Sequence, residues 1–146
     1  MECKECCIIG YNVEESKEKY KEIKKALIEL IKNNVDCFLF YEFGKFAHVC
    51  FEILDELRDE YKNVRIVYCY QENILNQNLQ KYKQLSQGIY DDFFNINIGE
   101  NDSLLSTLKM IYKADCIIFS KLDMENNRSK LFHDYCCLLE KKILYL

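Results

Sequence analysis

One stretch of the chain, residues 34–61, changes its hydrophobic period abruptly at a glycine. The run from Val35 to Phe40 is rich in β-branched and aromatic residues, as in a strand that is buried on both faces. Beyond Gly44, apolar residues recur at helical spacing as far as Tyr61. The stretch therefore predicts a strand, a phosphate-type loop and a helix. In parallel α/β proteins such a junction lies at the carboxyl end of a strand, where ligands bind.

The rest of the chain repeats this alternation of strand-like and helix-like segments. Strands are predicted near residues 5–9, 35–40, 64–69, 93–97, 115–119 and 143–146. Residues 73–87, rich in Gln and Asn, are predicted as a helix or a partly ordered loop. We therefore predict a single domain over residues 1–146, an α/β Rossmann-like three-layer sandwich with a mostly parallel sheet of about six strands.

Composition narrows the classes of partner. With 20 basic and 24 acidic residues the net charge is −4, so no basic face is expected and nucleic acid is disfavoured as a partner. The first residues contain an acidic second position and only four consecutive apolar residues, which fits neither a signal peptide nor a membrane span. We expect a cytoplasmic protein with no membrane partner and no cofactor, and keep a homodimer as an alternative to a monomer.

Nine cysteines are predicted to be reduced, metal-free thiols. A reducing cytosol disfavours disulfides, and several of the cysteines lie in apolar runs where a thiol packs as a small hydrophobe. Zinc is the competing interpretation, because Cys3 and Cys6 form a C-x-x-C motif. The chain has no second C-x-x-C motif, and its vicinal cysteine pairs suit tetrahedral ligation poorly.

Four segments resemble one family over nearly the whole chain. They are CCIIGY at 6–11, FLFYEFGKF at 38–46, KADCIIF at 113–119 and KKILYL at 141–146. Together they resemble the SLOG superfamily, and within it the YpsA-like bacterial proteins. The superfamily comprises small Rossmann-like proteins that bind nucleotides or nucleotide-derived ligands and are related to LOG-type phosphoribohydrolases and to DNA-processing DprA proteins. The resemblance implies a Rossmann-like fold and a nucleotide-like small molecule as partner.

The chain departs from this family at the loops that would hold the ligand. Gly10-Tyr11-Asn12 stands where members have a Gly-His-Arg-like turn, and Tyr41-Glu42 stands where they have paired glycines. Gly44 remains, but Arg128-Ser129-Lys130 replaces a glycine pair in the last loop. Glycines permit close approach of backbone to phosphate, so their loss predicts a remodelled or abolished phosphate cradle. The LOG-type signature Pro-Gly-Gly-x-Gly-Thr-x-x-Glu is absent, and no catalytic residue is assigned.

The predicted ligand site combines three loops at the carboxyl edge of the sheet. Its residues are Gly10, Tyr11, Asn12, Tyr41, Glu42, Gly44, Lys45, Arg128, Ser129 and Lys130. Basic side chains can replace lost backbone contacts to phosphate, with Arg128 as the leading anionic contact. The alternative for these basic residues is an ordinary solvated loop. Glu42 is either a general base or, more commonly for a loop residue, a solvated glutamate.

Three functions follow from this site. We favour a protein that binds a nucleotide or nucleotide-derived molecule in order to sense or sequester it. The alternatives are a hydrolase acting on a nucleotide N-glycosidic or phosphate bond, and a scaffold that kept the fold and lost the ligand pocket. The two histidines, His48 and His133, are predicted to follow the second and fifth strands, where they would either share a pH-tuned site or lie on helix surfaces.

Overall fold

The computed structural model describes residues 4–41, 44–70, 89–95 and 103–146. In chain order its elements are β1 (Lys4–Ile9), α1 (Lys17–Lys32), β2 (Val35–Phe40), α2 (Lys45–Glu60), β3 (Arg65–Tyr70), β4 (Asp92–Asn95), α3 (Ser103–Lys113), β5 (Cys116–Phe119), a 3₁₀ helix (Lys121–Asp123), α4 (Asn127–Leu138) and β6 (Lys142–Tyr145). The predicted helix or loop at 73–87 lies outside the described residues, as do Cys3 and Glu42.

The six strands form one sheet in the order β4-β3-β2-β1-β5-β6, and all five neighbouring pairs are parallel. This confirms the predicted α/β Rossmann-like fold, with a sheet that is wholly rather than mostly parallel. The chain builds outward from β1 through β2, β3 and β4, then returns to place β5 on the other side of β1. The strand order therefore reverses between β1 and β5, and in such sheets the crevice beyond the carboxyl ends at this switch point is the usual ligand position.

Helices cover both faces of the sheet. On the first face, α1 and α2 pack against alternate strand residues such as Ile8 and Phe38. On the second face, α3 and α4 pack against the intervening residues, such as Ile9 and Leu39. Because successive strand residues point to opposite faces, continuous apolar runs are what a doubly covered sheet requires. The near-complete burial of β2 follows from its central position.

None of the described helices is long and apolar enough to cross a lipid bilayer.

Candidate functional site

Asp123 fixes the loop that follows β1 at the switch point. Its side chain, on a residue only 3% exposed, accepts hydrogen bonds from the backbone N–H of Tyr11 at 2.6 Å and of Asn12 at 3.2 Å. The side-chain amide of Asn12 donates a third hydrogen bond, at 2.7 Å. In the same place the Ser120 hydroxyl donates to the backbone oxygen of Asn12. Asp123 and Ser120, which follow β5, thus bind both the backbone of the β1 loop and the side chain of Asn12.

This carboxylate already accepts hydrogen bonds from backbone N–H groups that follow β1. Backbone N–H groups at the end of β1 commonly bind phosphate in Rossmann-like proteins. Here the N–H groups of Tyr11 and Asn12 are satisfied by Asp123, a negative charge that belongs to the chain itself. A phosphate at the same point would have to displace a carboxylate that already holds these donors.

Gly10 and Gly44 are required by packing between loops. A Cβ on Gly10 would lie 2.5 Å from Phe46 Cδ1 and 2.8 Å from Ser120 Cβ. A Cβ on Gly44 would collide with the Cα of Tyr11 and lie 2.7 Å from Tyr11 Cδ1. The backbone N–H of Phe46, in the first turn of α2, also donates to the Tyr11 carbonyl at 3.3 Å. At both glycines the backbone closely approaches other parts of the chain. In the SLOG superfamily, which the sequence resembles, glycines in such loops allow the backbone to approach a ligand.

The described residues of the predicted crevice enclose a small free volume. A cavity of about 10 Å³ lies there, room for roughly one water molecule. It is lined by Ile8, Ile9, Gly10, Tyr11, Tyr41, Thr107, Met110 and Phe132. The structure therefore brings the β1 loop, the end of β2 and α4 together, as the sequence predicts. At this point the three segments pack against one another around the small cavity.

Of the remaining predicted site residues, Tyr41 lines the small cavity and the others differ in exposure. Tyr41 is buried at 9% exposure, and Ser129 at 2%. Lys130 is exposed, and Lys45 is an exposed side chain whose Nζ lies 3.3 Å from Glu15 Oε1. Glu42 falls outside the described residues, so its predicted role stays untested.

Arg128 stands at the start of α4, with its guanidinium carbon 5.6 Å from the centre of the Phe132 ring. Phe132 lines the small cavity, so Arg128 flanks the crevice. The backbone N–H groups of Arg128 and Ser129 donate to Asn126 Oδ1, at 2.8 Å and 3.4 Å. The N-terminus of α4 is thus capped by its own chain. The structure thus places Arg128 beside the crevice. The backbone N–H groups at the start of α4 already have an acceptor in Asn126.

A larger groove runs along the N-terminal half of α1, at the same edge of the sheet. It measures about 640 Å³ and is lined by Glu15, Ser16, Lys17, Tyr20, Lys21 and Lys24. A second cavity of about 270 Å³ shares Glu15, Ser16 and Tyr20 with it, and adds Val13, Glu14, Ile23 and Val49. The predicted site omits these residues. The signal was present as lysines at spacings of four and three, which place them on one helix face beside Tyr20.

Tyr20 lies between the groove and α2. Its hydroxyl donates to Glu56 Oε2 at 3.2 Å, and Lys24 Nζ lies 3.8 Å from the same oxygen. Burial and the hydrogen bond to Glu56 raise the pKa of Tyr20 above its ordinary value. The phenol therefore stays neutral at physiological pH and does not repel an anion.

The first turn of α2 lies near the groove and is capped differently from α1 and α4. Ser16 caps α1 by accepting from the backbone N–H of Lys19 at 3.1 Å. Within the described ranges no side chain caps α2 at Gly44. Val49, on the second turn of α2, lines the smaller cavity. The positive end of the α2 dipole therefore adds to the field of the α1 lysines at this edge.

The two histidines do not share a site. His48, on α2, has its Nε2 3.0 Å from Glu52 Oε1. His133, on α4, has its Nε2 2.6 Å from the Tyr145 hydroxyl oxygen. Because α2 and α4 cover opposite faces of the sheet, the structure favours the alternative of two separate helix-surface histidines.

Eight of the nine cysteines lie in the described residues and are free thiols there, with Cys137 exposed and the other seven buried. No group of three or more potential metal ligands occurs among those residues. We expect thiol titration of denatured protein, without reductant, to find nine free groups per chain, because the eight described cysteines are free thiols and the cysteine spacings make no tetrahedral set. A sample treated with reductant and desalted serves as control. Fewer than nine groups, or stoichiometric zinc by elemental analysis, would contradict this prediction.

The chain was compared with family models, curated proteins and solved structures. No family model and no curated protein matches the chain. Among solved structures, the chain is similar to a protein of Aquifex aeolicus VF5, with 15% identity over 99% of this chain and 74% of the other, and a TM-score of 0.41. At this TM-score the likeness carries no argument about function.

Proposed function

We propose that this protein binds a nucleotide or nucleotide-derived small molecule at the carboxyl edge of the sheet, as a sensor or sequestering protein. The observation that carries the proposal is the groove of about 640 Å³ beside α1, which Lys17, Lys21 and Lys24 line together with Tyr20. The ligand position differs from the one expected from sequence. It moves from the crevice held by Asp123 to the neighbouring groove.

The smaller cavity suits a nucleobase. Val13, Tyr20, Ile23 and Val49 give it apolar walls, and its volume of about 270 Å³ approaches the lower end of ordinary ligand sites. A planar base can be stacked or enclosed by such residues. The polar residues Glu14 and Ser16 line the same cavity and supply hydrogen-bonding groups.

The shared rim of the two spaces suits a sugar and phosphate. Glu15 lines both the cavity and the groove, and a carboxylate there can accept hydrogen bonds from ribose hydroxyls. Beyond it, Lys17 and Lys21 are exposed at the first turns of α1, where ammonium groups can bind phosphate oxygens. The order of apolar wall, carboxylate and lysine row matches the order of base, sugar and phosphate. This match supports a nucleotide over a smaller anion.

One observation favours a second function, the scaffold. The hydrogen bonds from Tyr11 and Asn12 to Asp123 give the β1 loop an internal anion in place of a bound phosphate. A chain that satisfies its own phosphate-binding N–H groups can keep a Rossmann-like fold with no ligand at all. The scaffold proposal therefore predicts that no nucleotide stabilises the protein.

A thermal-shift screen with a broad nucleotide panel tests the proposal, because a ligand that binds only the folded state raises the melting temperature. For a nucleotide that binds, we expect Lys21→Ala to weaken affinity roughly five- to tenfold by calorimetric titration, since an exposed charge contact contributes about 1 kcal/mol. Raising the salt concentration should weaken binding of the unmodified chain as well.

Two variants serve as controls for Lys21→Ala. Lys25→Ala removes an exposed lysine of the same helix that does not line the groove, and should leave affinity unchanged. Arg128→Ala separates the two positions, because it should weaken a ligand in the predicted crevice roughly ten- to a hundredfold but leave one in the groove unaffected. Failure of the whole panel to bind would support the scaffold.

A further inference from the structure

A third cavity lies at the opposite, amino-terminal edge of the sheet. It measures about 140 Å³, several times the roughly 30 Å³ that a water molecule occupies in the liquid. Its walls come from the second half of α1 and the first residues of β5 and β6. Glu29, Asn33 and Lys142 are exposed lining residues, so the cavity is reached from solvent. It is separate from the groove proposed to bind a nucleotide.

Two cysteines of adjacent strands line this cavity. Cys6 of β1 and Cys116 of β5 are in-register partners, and both belong to the core on the side of α1. Neighbouring strands lie about 4.8 Å apart, which falls within the Cα separation of roughly 4.4–6.8 Å that a disulfide spans. The two side chains leave the same face of the sheet at adjacent positions.

The two thiols are unequal. Cys6 is fully buried, whereas Cys116 retains 8% exposure. The residue in register with Cys116 on its other side is Lys142, so Cys116 lies between a thiol and an ammonium-bearing side chain. Interaction with the Cys6 thiol lowers the pKa of Cys116, helped by the charges of Lys142 and Lys4 and opposed by burial and by Asp115. In the structure, the Cys6 and Cys116 sulfurs lie 3.8 Å and 3.9 Å from the backbone oxygens of Cys7 and Glu5. Burial raises the pKa of Cys6 well above its ordinary value.

We propose that Cys116 and Cys6 form a peroxide-reactive dithiol site, in which Cys116 is oxidised first and Cys6 resolves it to a disulfide. Reactive cysteines are partly accessible, lie near positive charge and often stand next to a resolving cysteine. Cys116 is buried at 8% exposure but lines a cavity that opens to solvent, lies in register with Lys142 and stands next to Cys6. The other buried cysteine of this core face, Cys50, does not line the cavity.

The reaction balances with hydrogen peroxide as the oxidant. The Cys116 thiolate attacks one peroxide oxygen, an S–O bond forms as the O–O bond breaks, and the hydroxide released takes up the thiol proton as water. The Cys6 sulfur then attacks the Cys116 sulfur, so that an S–S bond forms and the S–O bond breaks. The second hydroxide leaves with the Cys6 proton as water. Two thiols and one peroxide give one disulfide and two waters.

The test treats the folded, full chain with a small excess of hydrogen peroxide and then blocks the remaining thiols. Mass spectrometry should show loss of two hydrogen atoms, and peptide mapping should link Cys6 to Cys116. In partly oxidised samples, Cys116 should react about tenfold faster than Cys50, because a thiolate near positive charge is the more reactive species. A parallel sample of the Cys137→Ala variant removes the exposed thiol that could join two chains.

Two variants assign the order of steps. Cys6→Ala removes the resolving thiol, so the Cys116 sulfenic acid should persist and be trapped by a 1,3-dicarbonyl reagent. Cys50→Ala, a buried control on the same face, should still form the Cys6–Cys116 link. The proposal is overturned if the unmodified chain forms no such link, or if Cys116 reacts no faster than Cys50. Both of these measurements use unmodified protein and do not depend on the folding of any variant.

Discussion

Replacing Asp123 with alanine should lower the free energy of unfolding by about 3 kcal/mol, because the change leaves donors of the β1 loop without their acceptor. The carboxylate accepts from Tyr11 and Asn12 through three donors, and the residue is 3% exposed. Hydrogen bonds to charged groups contribute about 1.5–3 kcal/mol, and an unsatisfied buried donor adds its desolvation cost. Urea denaturation followed by circular dichroism measures the effect.

Two companion variants make the Asp123 result specific. Asp123→Asn keeps one carbonyl oxygen but places an NH₂ donor among the donors of the loop, so its loss of stability should be smaller than that of Asp123→Ala. Asp59→Ala, at an exposed position near the end of α2, should change stability by no more than about 0.5 kcal/mol. An Asp123→Ala variant as stable as Asp59→Ala would show that the carboxylate does not hold the two loops together.

Replacing Gly44 with alanine should cost about 1–3 kcal/mol, the usual range for overpacking. The new Cβ would collide with the Cα of Tyr11, which is backbone and cannot move aside as a flexible side chain can. Moving Tyr11 would also strain its carbonyl contact with the Phe46 N–H and its own N–H contact with Asp123. The same denaturation experiment measures the change.

Lys45→Ala is the matched control for Gly44→Ala, one residue further along the first turn of α2. It removes only an ion pair with Glu15 in which both side chains are more than 70% exposed. Exposed pairs of this kind contribute about 0–1 kcal/mol, so Lys45→Ala should be nearly as stable as the unmodified chain. If both variants lose the same small amount, the contact between Gly44 and Tyr11 is not tight in solution.

The Asp123 and Gly44 variants both test whether the loops at this edge of the sheet hold together without a ligand. In the proposed arrangement, the loops of β1, β2 and β5 are held by one another, so the crevice needs no ligand for its stability. Under the proposed function, the ligand would bind in the groove beside α1, next to loops that Asp123 and Gly44 already hold together. A nucleotide would stabilise the fold through mass action, without completing the core.

The fold could be derived largely from local patterns. The change of period at Gly44, the apolar runs of β2 and β5, and the helical stripes between them each depend on neighbours a few residues away. Continuous apolar strands predict a sheet covered on both faces, since each face must be buried by a helix. All six described strands lie near their predicted positions, with residues 96 and 97 of the predicted fourth strand outside the described residues, and their five pairings are parallel.

The site was decided by contacts between residues far apart in the chain. Asp123 lies 112 residues from Tyr11, and no local pattern marks that carboxylate as the acceptor for the β1 loop. The same holds for Cys6 and Cys116, which meet only because β5 is placed beside β1. Loss of glycines predicts a remodelled cradle, but only packing determines whether a ligand or the chain itself occupies it.

Sequence alone determined the alternation of strands and helices, the burial of both sheet faces and the edge at which loops gather, because periodicity and junction residues encode these locally. Tertiary structure decided what occupies that edge. Asp123 holds the β1 loop in the crevice, while the lysines of α1 line an open groove beside it. The physical reason is that a hydrogen bond or a cavity depends on distances in space, and the fold sets those distances between residues that the chain keeps far apart.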